Sequence, residues 1–172
     1  MTLRKLTQNC STAFLAVALT ATSTAALAHG DGKPDGAGAA TISTEQHPFG
    51  RQGDPKKVTR TIVVDMTDQM RFGPSAITVR QGETIRFVVH NKGKILHEMV
   101  IGTLDELRAH GELMKKHPGM EHDEPYMTHV SAGKKQNMVW HFNQPGEFHY
   151  ACLLPGHFEA GMVGTIKVLG RN

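Results

Sequence analysis

Cysteine is scarce in this chain: Cys10 and Cys152 are the only two among 172 residues. Long hydrophobic runs are missing as well. The most apolar stretch, Ala13 to Leu19, falls short of the roughly 20 residues that cross a bilayer. It follows Arg4 and Lys5 and precedes Ala26-Leu27-Ala28, the basic start, apolar middle and small-residue cleavage site of a secretory signal peptide. Residues 1–28 are therefore expected to be removed on export, leaving a mature form with no membrane span and with Cys152 as its one thiol, so an internal disulfide is excluded. A surplus of charge is also lacking. Cleavage after Ala28 takes away two of the 19 basic residues and none of the 16 acidic ones, so the formal charge falls from +3 to +1. That near-neutrality argues against a nucleic acid or an anionic membrane as partner. The length excludes a multidomain enzyme.

What the mature chain does have is metal-binding side chains. All 11 histidines and 8 of the 9 methionines follow Ala28. A lone thiol in an oxidising compartment is a liability unless something holds it, and a metal is the obvious holder. Soft thioether and thiolate with borderline imidazole select copper over calcium or magnesium.

Residues 29–57, with six Gly, three Pro and almost no apolar periodicity, read as a flexible N-terminal tail. The folded domain is expected over 58–172. Val58, Ile62, Val64 and Met66 share one strand face, with Arg60 as an exception, and alternation is clearer in Ile85-x-Phe87-x-Val89, Met138-x-Trp140-x-Phe142 and Phe148-x-Tyr150-x-Cys152. Turn signals at Phe72-Gly73-Pro74, Gln81-Gly82, Asn91-Lys92-Gly93 and Gln144-Pro145-Gly146 separate them, which predicts an all-β sandwich or barrel. One helix interrupts the strands. Thr103 and Glu106 have capping-box spacing, predicting a helix that runs to about Lys116, before His117-Pro118-Gly119.

The densest chemical signal is Cys152-Leu153-Leu154-Pro155-Gly156-His157, followed by Met162. Cys152 ends a strand whose Phe148 and Tyr150 point inward, Pro155 and Gly156 bend the loop, and Met162 shares parity with Ile166 and Val168, so the three side chains can converge. His97, in phase with Met99 and Ile101 on an apolar strand, is the best fourth ligand. Two imidazoles and a thiolate with a distant axial thioether suit copper in both oxidation states.

At these residues the chain resembles the cupredoxins, the family of plastocyanin and azurin. The C-x-x-P-G-H loop is similar to that of azurin, and the likeness extends over residues 58 to 169 through Phe72, Pro74, Ile77-Thr78-Val79, Gly82, the Ile85 to Asn91 strand and His97. The resemblance implies an eight-stranded Greek-key β-sandwich with type 1 copper under one end, here carrying one helix-containing, His/Met-rich insertion. His97-Glu98-Met99-Val100-Ile101 and that insertion look like the periplasmic copper-tolerance cupredoxins of the CopI type. Glu98 departs from azurin, which has Asn after its first ligand; the carboxylate either adds negative charge that favours Cu(II) or points to solvent.

A second copper-binding region is suggested by His110, Met114, His117, Met120, His122, Met127 and His129, of which His110, Met114 and His117 fall on one helical face. The competing reading packs Leu104, Leu107 and Met114 onto the sandwich as an ordinary amphipathic stripe. His29, the N-terminus after cleavage, offers an amine and an imidazole to Cu(II), whereas His90, His141 and His149 have outward parity. Multicopper oxidases and nitrite reductases resemble each other in placing His beside the Cys to wire a second copper; Ala151 stands there, which argues against an enzyme. The expectation is periplasmic copper tolerance by binding and redox handling of copper, with a possible redox or copper-transfer protein partner. Electron transfer between respiratory proteins is the alternative.

Overall fold

The computed structural model describes residues 41–117 and 123–171. The expected signal peptide, His29, Met120 and His122 lie outside them. Among the described residues the strands are β1 (Arg51–Gln52), β2 (Arg60–Thr67), β3 (Arg71–Gly73), β4 (Ala76–Arg80), β5 (Thr84–Asn91), β6 (His97–Gly102), β7 (Met127–Val130), β8 (Lys135–His141), β9 (Gly146–Ala151) and β10 (Val163–Leu169). They form two five-stranded sheets, ordered β1-β8-β5-β2-β3 and β4-β10-β9-β6-β7. The ten segments exceed the eight implied by resemblance because β1 and β3 are pieces of two and three residues.

Period-two alternation builds the interior. Ile85, Phe87 and Val89 of β5 are all fully buried, and they meet Met99 and Ile101 of β6, Trp140 of β8 and Tyr150 of β9 in one core between the sheets. The single helix, α1 (Leu104–Lys116), starts where the sequence placed it. The Thr103 hydroxyl accepts the Glu106 N–H, and the Glu106 carboxylate accepts the Thr103 N–H at 2.9 Å. Leu107 and Met114 face the sheet, and Leu107 joins Val100, Met127, Ala151 and Leu153 in a second apolar cluster. The helix thus covers the outer face of β6 and β9, so both faces of β6 are interior and all six of its residues are buried.

The boundary expected at Val58 is too late. Phe49 is only 2% exposed and stacks on Trp140 with ring centroids 5.4 Å apart. Its carbonyl accepts the Trp140 Nε1–H at 2.9 Å, and β1 pairs with the edge of β8. One aromatic among glycines and prolines has no periodicity to reveal it, yet burying that ring contributes about 1.5–3 kcal/mol toward holding the segment, beside the Trp140 hydrogen bond and the β1 pairing.

Candidate metal centre

Three loops and strand ends converge at one end of the sandwich. β6 begins with His97, β9 delivers Cys152 one residue past its end, and the turn between β9 and β10 carries His157 and Met162. That turn is tied to itself: the Met162 N–H donates to the His157 carbonyl at 3.0 Å, and the Cys152 N–H donates to the Met162 carbonyl at 3.1 Å. Cys152, His97 and Met162 are fully buried, and His157 is half-buried. One ligand atom from each of His97, Cys152 and His157 lies within 4.8 Å of the others. Cys152 Sγ is 3.2 Å from His157 Nδ1, and the two imidazole centroids are 5.0 Å apart.

The hydrogen bonding indicates which atoms are kept for a ligand. His97 Nδ1 is buried with no hydrogen-bond partner, which is costly for a polar nitrogen unless something binds it. The opposite nitrogen, Nε2, lies 3.1 Å from Asp68 Oδ1, an outer carboxylate of the kind that orients metal-binding histidines. Asp68 is itself fixed. The Lys94 N–H donates to it at 2.8 Å and, with His97, holds its carboxyl below the usual range. Gly93 makes the approach possible, since a Cβ there would stand 1.9 Å from Asp68 Oδ1. Burial lowers the pKa of His157, so its ring is neutral and available at neutral pH. Burial pushes the Cys152 thiol up to about 12 in the metal-free protein, so a cation entering the site must displace its proton.

A buried thiol, an orphaned imidazole nitrogen, a neutral second imidazole and an adjacent buried thioether form a donor set that suits copper. Residues 58–169 match the family described as copper-binding proteins, plastocyanin/azurin family. The chain belongs to that family. Copper is its cofactor. The sequence is 52% identical over 121 residues to the copper-resistant cuproprotein CopI of Rubrivivax gelatinosus, covering 70% of this chain and 73% of that protein. It is 33% identical over 163 residues to the protein of the same name from Vibrio cholerae, covering 90% and 96% of the two chains. In three dimensions the fold is similar to auracyanin B, with a TM-score of 0.59, 22% identity and coverage of 69% of this chain and 95% of that one.

Elsewhere in this cupredoxin, five of the seven residues of the expected second copper region lie among the described residues. Met114 of α1 is 5% exposed, as the amphipathic-stripe reading requires, and Met127 of β7 is 7% exposed in the cluster that holds Leu107. His110 is half-buried on the helix and His117 is exposed at its C-terminal cap. His129 Nε2 lies 2.9 Å from Glu98 Oε2. Glu98 does not point to solvent: it is 1% exposed, with Oε1 accepting the Leu153 N–H and Oε2 beside His129. Asp68 was missed by sequence reasoning, since no spacing signal relates it to a histidine 29 residues away.

Proposed function

We propose that His97, Cys152, His157 and Met162 hold one type 1 copper and that the protein serves periplasmic copper tolerance by binding and redox handling of that metal. The observation that carries the site is the convergence of one ligand atom each from His97, Cys152 and His157 within 4.8 Å, with His97 Nδ1 buried and without a hydrogen-bond partner. The observation that carries the role is the likeness to two proteins named as copper-resistant cuproproteins. Copper in such a site supplies one-electron redox chemistry. This chain's contribution is to fix the ligands in a water-poor pocket, with Asp68 turning His97 so that Nδ1 faces inward. Replacing Asp68 with Asn should keep the fold and lower copper affinity by about 10- to 100-fold, as loss of an outer-shell partner does. Competition with a chelator of known affinity measures it.

Additional copper on the His/Met segment belongs to the same proposal. Capture would fall to His110 and His117, joined by Met120 and His122 outside the described residues, because Met114 and Met127 are packed and His129 engages Glu98. His29 would join them if cleavage follows Ala28. Intact mass of the exported protein tests that: a mature chain starting at His29 is expected, and retention of Arg4 and Lys5 would remove the export argument.

Electron transfer is the second reading, favoured by half-buried His157, which brings one ligand ring to the surface beside otherwise buried partners. The role is decided in a deletion strain. Tolerance predicts growth that fails in elevated copper and normal respiratory growth without it; a carrier predicts the reverse.

A further inference from the structure

A cavity of about 290 Å³ opens where the segment before β1, strand β6, helix α1 and the approach to β7 meet. It is lined from Val100 to Gly102 of β6, the end of that strand away from His97. Its walls hold two imidazoles from distant parts of the chain, His47 and His110, with Glu106 and the rings of Phe49 and Tyr126. Among the described residues no lysine or arginine lines it. Acids gather there instead. Burial first, and then the negative charges of Glu124, Glu45 and Glu106, raise the Tyr126 hydroxyl, so all three carboxylates act on a ring of this cavity.

His47 is held as a ligand needs to be. Its backbone exchanges two hydrogen bonds with Gly50, at 2.8 and 3.1 Å, and its ring stacks on Phe49 with centroids 5.1 Å apart. The same ring meets the edge of Tyr126 at 5.0 Å. Gly50 pins the turn to β8, since a Cβ there would stand 2.3 Å from the His141 carbonyl oxygen. Packing orients the imidazole without a hydrogen bond to its nitrogens from the described residues: Glu45 Oε1 stands 3.8 Å from Nε2, beyond hydrogen-bond length. Glu106 makes both its side-chain bonds to Thr103 through Oε2, so the capping box does not occupy Oε1. Two imidazoles and a carboxylate are borderline-to-hard donors, a set for divalent ions, of which Cu(II) is the most tightly bound.

We infer that His47, His110 and Glu106 form a second copper site, which captures Cu(II) at the end of β6 away from Cys152. The inference rests on the capture reading of the insertion and narrows it. His110 works with a histidine of the docked N-terminal segment, and not with His117, which does not line the cavity. The donors close by side-chain rotation, because among the described residues only His97, Cys152 and His157 already bring three such ligand atoms within 4.8 Å. Ordering them on the ion costs affinity, so this site binds more weakly than the Cys152 centre.

The test titrates the full mature chain with copper(II) beyond one equivalent, read by equilibrium dialysis and electron paramagnetic resonance. The parent should take up an additional copper with the spectrum of tetragonal, nitrogen-bound Cu(II), separate from any thiolate signal. His47→Phe keeps a stacked ring but no donor, and His110→Gln removes the other imidazole. Each should lose that copper and leave the visible charge-transfer band unchanged. His117→Gln with Met120→Leu and His122→Gln, and separately His29→Ala, should leave the tetragonal signal in place. A parent with no additional copper would overturn the capture reading and this site together. A tetragonal signal that survives His47→Phe or His110→Gln overturns this site, and its loss from the His117, Met120 and His122 variant would then keep the capture reading without it. Should His47→Phe not fold, unchanged uptake in His110→Gln overturns the inference.

Discussion

Copper(II) added to the mature protein is expected to give an intense visible band from thiolate-to-copper charge transfer, and Cys152→Ser is expected to abolish it entirely. The reason is chemical. Cys152 is the one cysteine after Ala28, so no second thiol can replace it, and an alkoxide is not available from a buried serine at neutral pH. Substitution is nearly isosteric in a fully buried position that accepts a backbone N–H, so the sandwich should survive and the loss should be spectroscopic first. The pH dependence follows from the same residue. With the metal-free thiol pushed up to about 12, each copper bound near neutrality releases the Cys152 proton, and apparent affinity should fall about tenfold per pH unit on acidification. The fall should steepen once His157, whose pKa is lowered by burial, also takes up a proton. A visible band that persists in the serine variant, followed by absorption titration from pH 8 to 5, would sink the thiolate assignment.

How much of this could be read before the fold was known depended on distance along the chain. Cys152, His157 and Met162 lie within one loop, so their convergence required only strand parity on either side of Pro155-Gly156; Cys152 Sγ and His157 Nδ1 lie 3.2 Å apart, and Met162 is buried with its backbone bonded to both residues. His97 required one additional step, since an apolar strand with an inward histidine has few reasons to exist in a core. The capping box of α1 was legible for the same local reason. Non-local relations were not. The sequence left Glu98 either charging the site or pointing to solvent, and could not say that α1 packs on the outer face of β6. Nor could composition show that Phe49 leaves a glycine-rich segment to stack on Trp140, or that Asp68 crosses from the end of β2 to His97. Each miss is a tertiary contact made by one residue with no repeating pattern around it.

The methionines of the insertion carry the second large effect. Met114→Ala and Met127→Ala should each destabilise the protein by about 2–5 kcal/mol, because truncating a buried side chain loses both transfer free energy and packing around the cavity it leaves. Both are under a tenth exposed, and Met127 shares its cluster with Leu107 and Leu153, next to Cys152. Met114→Leu and Met127→Leu conserve volume and should cost less than about 1.5 kcal/mol each. Denaturant unfolding of the metal-free protein separates these outcomes. This matters for the copper stoichiometry of the segment, since a variant with every His and Met changed to Ala would lose stability whether or not it had held metal. Leucine at 114 and 127 keeps the buried volume while removing both sulfurs. If copper stoichiometry is then unchanged, the two methionines are packing residues; if it drops while unfolding free energy holds, they are ligands despite their burial.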